Sequence, residues 1–153
     1  LIKLFDDDKV QIGTAVCNLE NDEIEDENIV KAKVLLENNI GYVKDFKRKI
    51  SSKLNYYHHI GVYAFRPKVL KKFISLNQSK NEVQRKLEQL RAMDNNLKIK
   101  TVKVDYNPPR VDTINDLRKI RDDRTYVATI FSFDFMTLDD YRKAKPLKIK
   151  IVL

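Results

Sequence analysis

The segment His59-Ile60-Gly61-Val62-Tyr63-Ala64-Phe65, followed at once by Arg66-Pro67, constrains the fold more than any other stretch of the chain. It contains no Asp, Glu, Lys or Arg and is rich in β-branched and aromatic side chains, which predicts a buried strand over residues 59–65. Pro67 suits the first position of a helix, where a missing N–H leaves no bond unmade. Val69, Leu70, Phe73 and Ile74 then recur at helical spacing. A strand that passes directly into a helix is a building unit of an α/β fold.

The same alternation runs along the chain. Residues 10–17 are β-branched and predict a strand, residues 18–28 a polar acidic connection, and residues 32–36 a second strand. Asn38-Asn39-Ile40-Gly41 predicts a turn, with a short strand running through Phe46 and a basic loop over residues 47–53. A second helix is predicted over residues 81–95, with Val83, Leu87, Leu90 and Met93 on one stripe and Asn95-Asn96 as its stop. Residues 98–104 alternate lysine with apolar residues, the pattern of a half-exposed strand. Pro108-Pro109 breaks the chain, and Thr113-x-x-Asp116 matches a capping box opening a third helix to Arg121. Residues 125–135 are β-prone, and residues 142–150 add five positive charges. Residues 1–5 read as the end of an amphipathic helix and, with no initial Met, predict a fragment or a processed product.

Composition narrows the function classes. A chain of 153 residues can bury a real core and predicts one domain. No run approaches the roughly 18 apolar residues that span a bilayer. Residues 1–5 run straight into Asp6-Asp7-Asp8, which predicts no secretory signal. The single cysteine, Cys17, sits in an apolar strand and reads as a buried inert thiol, so a reducing cytoplasmic location is expected. The net charge of +8 is uneven: residues 1–30 hold two lysines against nine acids, or −7, which leaves +15 for the rest. That bias favours anionic partners, or else a lysine-rich solvated surface.

Few residues could carry chemistry. With three glycines there is no Gly-rich phosphate loop, and one Cys with two adjacent His forms no metal motif. His58 and His59 start the buried strand and face opposite ways, which reads as one surface and one satisfied core histidine. The functional alternative is a ring N–H donor to an anionic or hydroxyl-rich ligand. His59, Gly61 and Tyr63 share one strand face, where Gly61 would let a ligand approach the backbone. Glu88 and Gln89 flank the apolar helix stripe, either as solvated residues or as a carboxylate and amide that read sugar hydroxyls. Asp112 either caps a helix or offers a hard oxygen ligand for Mg2+. Arg48 belongs to a plain basic loop, or pairs with a carboxylate or phosphate in two-pronged fashion.

In order and spacing, His59-Ile60-Gly61-Val62-Tyr63, Leu87-Glu88-Gln89-Leu90-Arg91 and Arg110-Val111-Asp112-Thr113-Ile114-Asn115-Asp116-Leu117 resemble the C-terminal half of the CMP-Kdo synthetases (3-deoxy-manno-octulosonate cytidylyltransferases). Val30-Lys31-Ala32-Lys33-Val34 is a weaker match. The resemblance covers residues 1–121, and residues 122–153 form an unmatched β-prone, basic tail. It implies an α/β fold that is part of a nucleotide-diphospho-sugar-transferase-like (Rossmann-like) three-layer arrangement, lacking the N-terminal nucleotide-binding portion. It implies the substrates CTP and Kdo, with transfer of CMP to Kdo for lipopolysaccharide biosynthesis. It further implies Mg2+ held by Asp112, and substrate contacts from Arg48, His59, Tyr63, Glu88 and Gln89. A homodimer is implied as well. Arg85 stands where the family commonly has an acid, Arg110 replaces a glycine, and only Lys47-Arg48-Lys49-Ile50 remains of the family's Ser-Arg-x-x-Ile-Pro segment.

Two further readings compete. One is a non-catalytic fragment acting as an interaction or dimerisation module. The other is nucleic-acid binding, against which stands the lack of interleaved aromatics and lysines in any RNA-binding signature.

Overall fold

The β-branched run near the start of the chain forms β1 (Ile12–Cys17), and all six of its residues are buried. The computed structural model describes residues 1–105, which lie in one compact unit ending at Pro108. Four more strands surround β1: β2 (Lys31–Val34), β3 (Ile40–Lys47), β4 (Tyr56–Phe65) and β5 (Ile99–Lys103). They close into a barrel in the order β1-β4-β2-β3-β5, with β5 returning to pair with β1. Only the β1–β5 pair is parallel; the other four are antiparallel. Three helices, α1 (Pro67–Ile74), α2 (Lys80–Arg85) and α3 (Gln89–Asp94), fill the connection between β4 and β5.

The mixed α/β class matches the expectation, and the described strands form a closed ring. Closure follows from two long strands that each serve two neighbours. β4 pairs with β1 over Ile12 to Cys17 and with β2 through Tyr56, Tyr57 and His58. β3 pairs with β2 at one end and with β5 at the other.

Local chemistry sets each turn. β2 and β3 are joined by a two-residue hairpin in which Glu37 and Ile40 exchange backbone hydrogen bonds of 2.9 and 3.0 Å. Asn38 and Asn39 take left-handed φ of 50° and 64°, the geometry that matches strand twist and that asparagine tolerates. Gly41 is required just beyond: a Cβ there would meet the Leu35 carbonyl oxygen at 2.3 Å.

The single helix expected over residues 81–95 is two helices. Ser79 and Glu82 form a capping box that opens α2. Lys86 then turns left-handed (φ 52°, ψ 47°) and ends it. The break swings Leu87 and Leu90 into the core while Val83, expected on the same stripe, stays 60% exposed. Burial of Leu87 and Leu90 offsets the local strain, since each fully buried leucine contributes about 1.5–3 kcal/mol. The stop at Asn95-Asn96 is as expected, with Asn96 at φ 59°.

The barrel interior is apolar and aromatic. Ile12, Val16, Ala32, Val34, Phe46 and Ile99 are nearly inaccessible to solvent. A line of rings runs from Phe46 through His59, Tyr63 and Phe65 to Phe73 on α1, with successive centroids 4.9, 5.4, 6.2 and 5.6 Å apart. The strand expected to be buried from residue 59 begins three residues earlier, and only His58 and His59 in it are fully buried. No helix among the described residues is long and apolar enough to cross a membrane.

Candidate functional site

β4 carries the centre of the site because it is interrupted. Thr14 of β1 pairs with Tyr63, but the next residue, Ala15, pairs with Ile60. Gly61 and Val62 therefore bulge out of register with β1. Two extra residues preserve the alternation, so His59 and Tyr63 still face the same interior. Gly61 does not lie between them as expected. It is exposed on the bulge, and a Cβ there would meet nothing within 4 Å.

Neither histidine is on the surface, which corrects the expectation that one of the two is exposed. A closed barrel sends one neighbour inward and the other outward, and the acidic connection of residues 18–28 covers the outward one. His58 Nδ1 lies 2.8 Å from Glu23 Oε1. His59 points inward, with Nε2 2.9 Å from Thr14 Oγ1. The Thr14 hydroxyl has one proton and donates it to the Val62 carbonyl at 2.8 Å. His59 Nε2 must then be the protonated nitrogen that donates to Thr14 Oγ1.

Tyr63 stands beside His59 with its ring half-buried against the core. Its hydroxyl is shielded from solvent and has no hydrogen-bond partner among the described residues. Burial pushes the phenol far above its ordinary pKa, and the nearby Glu88 carboxylate pushes it further in the same direction. A buried donor left unpaired costs about 1–3 kcal/mol.

Glu88 sits immediately before α3 and is exposed, and Gln89 is half-buried at the first helical position. Arg91, one turn on, is buried. Its guanidinium makes a two-pronged ion pair with buried Glu82 (Nε to Oε2 2.8 Å, and a second contact from Nη2 to Oε1). It also reaches Glu88 at 3.7 Å and stacks on the Phe73 ring at 5.1 Å. The Arg91 guanidinium holds the Glu82 carboxyl below its ordinary range; burial opposes this, and the Ser79 backbone N–H assists.

Arg48 follows β3. Its guanidinium donates to the backbone carbonyls of Glu27 (2.7 Å) and Lys86 (3.4 Å). It thus joins the acidic connection to the break between α2 and α3, two residues from Glu88. Lys31 is fully buried behind it, donating to the carbonyls of Asp26 (2.5 Å) and Arg48 (2.6 Å). Burial lowers the Lys31 pKa, partly offset by Asp26 and Glu23. Arg85, where the family commonly has an acid, ties α2 to β3 through Asp45 at 2.8 Å and the Phe46 carbonyl.

The structure therefore sets the His59 and Tyr63 rings side by side, with the Glu88 carboxylate near enough to act on the Tyr63 hydroxyl, while Arg48 bonds to Lys86 two residues before Glu88. Asp112 lies outside the described residues, as do the boundary expected between residues 121 and 122, the third helix and the tail. Among the described residues no group of three or more His, Cys, Asp or Glu is placed to hold a metal ion. Sequence reasoning missed Thr14, Lys31, Glu82 and Arg91. Ser79-x-x-Glu82 was a legible signal for the cap, but nothing local marks Glu82 as the partner of Arg91.

No protein-family model matches the chain. Over 117 residues it is 39% identical to the 3-deoxy-manno-octulosonate cytidylyltransferase of Paramagnetospirillum magneticum, covering 73% of this chain and 48% of that protein. Over 130 residues it is 34% identical to the enzyme of the same name from Elusimicrobium minutum, covering 79% and 53%. A shorter stretch of 65 residues is 54% identical to that of Bartonella bacilliformis, covering 42% and 27%. A solved structure of CMP:2-keto-3-deoxy-manno-octonic acid synthetase complexed with CTP superposes with a TM-score of 0.68 at 30% identity, covering 79% of this chain and 52% of the other. The chain is related to part of the 3-deoxy-manno-octulosonate cytidylyltransferases. It spans between about a quarter and a half of the length of the cytidylyltransferases named here. The likeness to the cytidylyltransferases thus agrees with the resemblance carried by the His59, Leu87 and Arg110 motifs.

Proposed function

We propose that this chain supplies the Kdo-binding part of a cytoplasmic cytidylyltransferase, within a nucleotide-diphospho-sugar-transferase-like arrangement. The reading is supported above all by the buried Tyr63 hydroxyl, which lacks a hydrogen-bond partner among the described residues and lies beside His59. A hydroxyl- and carboxylate-bearing sugar would supply that partner, and Gln89 adds an amide that both donates and accepts. The reaction would be attack of the Kdo anomeric hydroxyl on the α-phosphorus of CTP, releasing pyrophosphate and yielding CMP-Kdo for lipopolysaccharide synthesis. Such chemistry rests on placement and electrostatics rather than on a covalent nucleophile. Mg2+ would neutralise phosphate charge there, with Asp112 as the ligand implied by resemblance.

The test combines Kdo binding with pyrophosphate release from CTP, Kdo and Mg2+. The expected result is Kdo binding weakened in Tyr63→Phe, with no pyrophosphate released by the chain alone. Release that disappears in Asp112→Ala would mean the chain completes a catalytic site by itself. A stable dimer that binds neither CTP nor Kdo would replace this reading with a dimerisation module.

A further inference from the structure

The outer face of the barrel holds a second feature that the sugar-side reading does not use. Between β2, the end of β3 and the basic loop lies a cleft of about 660 Å³. That volume falls within the range of about 300–1,000 Å³ usual for small-molecule sites. Lys33, Lys47 and Lys49 line it together with the hydroxyl-bearing Ser51, Ser52 and Tyr56, and no Asp or Glu lines it. Ile50 and Leu54 complete the wall, and Leu54 is 74% exposed.

The cleft lies on the opposite side of the sheet from His59 and Tyr63. Lys33 is exposed between Ala32 and Val34, both fully buried in the interior. Alternation along β2 therefore places Lys33 outside. Lys47, at the exposed end of β3, pairs in register with Lys31, two residues from Lys33 on the same face.

The three ammonium groups carry little internal compensation. Lys33 lies over the Tyr56 ring at 5.7 Å and forms no ion pair with a carboxylate among the described residues. Lys47 approaches Asp45 only to 3.8 Å, while Arg85 holds the other oxygen of that carboxylate at 2.8 Å. Lys49 pairs with Glu27 at 2.7 Å, but both side chains are more than half exposed. Such an exposed pair contributes little and yields readily to a better anion. Lys33 on β2 and Lys47 and Lys49 at the end of β3 bring three like charges and hydroxyl donors together, and the one carboxylate among them, Asp45 opposite Lys33, is shared with Arg85; such a cluster suits a ligand of high negative charge density.

We propose that this cleft binds a small phosphate-bearing anion, with the lysines and serine hydroxyls on the phosphate oxygens and Leu54 and Ile50 against an apolar portion. The site is independent of Kdo binding at Tyr63 and stands or falls separately from it.

The experiment titrates the full isotope-labelled chain with inorganic tripolyphosphate in metal-free buffer and follows backbone amide resonances. Saturable shifts are expected at Lys33, Lys47, Lys49, Ser51 and Ser52, with His59 and Tyr63 unmoved. Lys33→Glu/Lys47→Glu should weaken binding by about tenfold or more, as reversal of two close charges implies. Lys98→Glu, at an exposed lysine on another part of the barrel, should leave it unchanged. All three proteins should unfold at similar temperatures, because the substituted side chains are exposed. Linear, unsaturated shifts, shifts spread over every basic surface, or equal affinity in the double variant would overturn the proposal. So would much tighter binding of an oligothymidine over an extended surface, which would mark a nucleic-acid track instead.

Discussion

Replacing Arg91 by methionine removes one half of a buried ion pair and should reverse how stability responds to pH. Arg91 is 6% exposed and Glu82 4% exposed. In the native chain the guanidinium satisfies both Glu82 oxygens, and the Ser79 N–H adds a third bond at 3.1 Å. Methionine keeps the apolar stem against Phe73 but leaves the carboxylate buried with its helix cap and the Gln78 side chain as remaining partners. Stranding one member of such a pair costs about 3–5 kcal/mol. At about 4–8 °C per kcal/mol for a domain of this size, the melting temperature should fall by roughly 12 °C or more.

The pH dependence is the sharper readout. In the native chain the folded Glu82 pKa is depressed below its unfolded value. Its contribution is therefore present above about pH 4.3 and is lost as pH falls through the folded value. In Arg91→Met the buried, unpaired carboxylate has a raised folded pKa, so protonation relieves it. Stability of the variant should then rise as pH falls from 7 towards 5, where the parent is flat. Urea unfolding at several pH values measures both effects. Glu82→Leu in the same background should restore most of the loss. A loss below about 1 kcal/mol, or parallel pH profiles for parent and variant, would refute the account of the pair as buried and mutually dependent.

Tyr63→Phe should leave the unliganded chain equally stable, or more stable by up to about 1 kcal/mol, because it removes a buried hydroxyl that has no partner among the described residues; thermal unfolding without ligand checks this. Lys86→Gly should stabilise by about 0.5–1 kcal/mol in urea unfolding, since glycine adopts the left-handed geometry at that helix end without steric cost. Cys17 should resist alkylation by iodoacetamide at pH 8 in the folded chain and react quickly in urea. Burial, reinforced by Glu23 and Glu20, pushes its thiol up to about 11. Rapid native alkylation would mean that β1 is more open than described.

Much of the element order was legible because it rests on short-range rules. Pro67 at a helix start, the Asn38-Asn39 hairpin and the Asn95-Asn96 stop are each written within a few adjacent residues. What was not legible depends on distant partners. The helical stripe through Val83 and Leu87 is broken at Lys86, because packing of Leu87 and Leu90 outweighs the cost of one left-handed residue. One of the two adjacent histidines reads as a surface residue until Glu23, 35 positions away from His58, folds over it. Lys31 reads as one lysine among many, yet its charge is spent on two backbone carbonyls under the acidic connection. For the candidate site, His59 and Tyr63 do stand side by side, but the Thr14 hydroxyl that orients the histidine depends on the β1–β4 register. That register shifts at Gly61 and Val62 through a bulge that no local pattern announces.

The ring of strands has a temporal consequence. β5 is the last strand of the barrel to emerge during synthesis, yet it fills the gap between the first strand and β3. Until residues 99–103 have left the ribosome, β1 and β3 each present an unpaired edge of backbone N–H and C=O groups, and β1 is apolar on both faces. The nascent chain is therefore most open to strand addition by other chains in the interval when α1 to α3 are being made. Closure depends on joining residues 12–16 to residues 99–103, a separation that favours slow, all-at-once folding over stepwise growth. A cut anywhere between β4 and β5 that releases the last strand would expose two edges at once, so proteolysis in the helical connection should lead to aggregation rather than to a stable smaller domain.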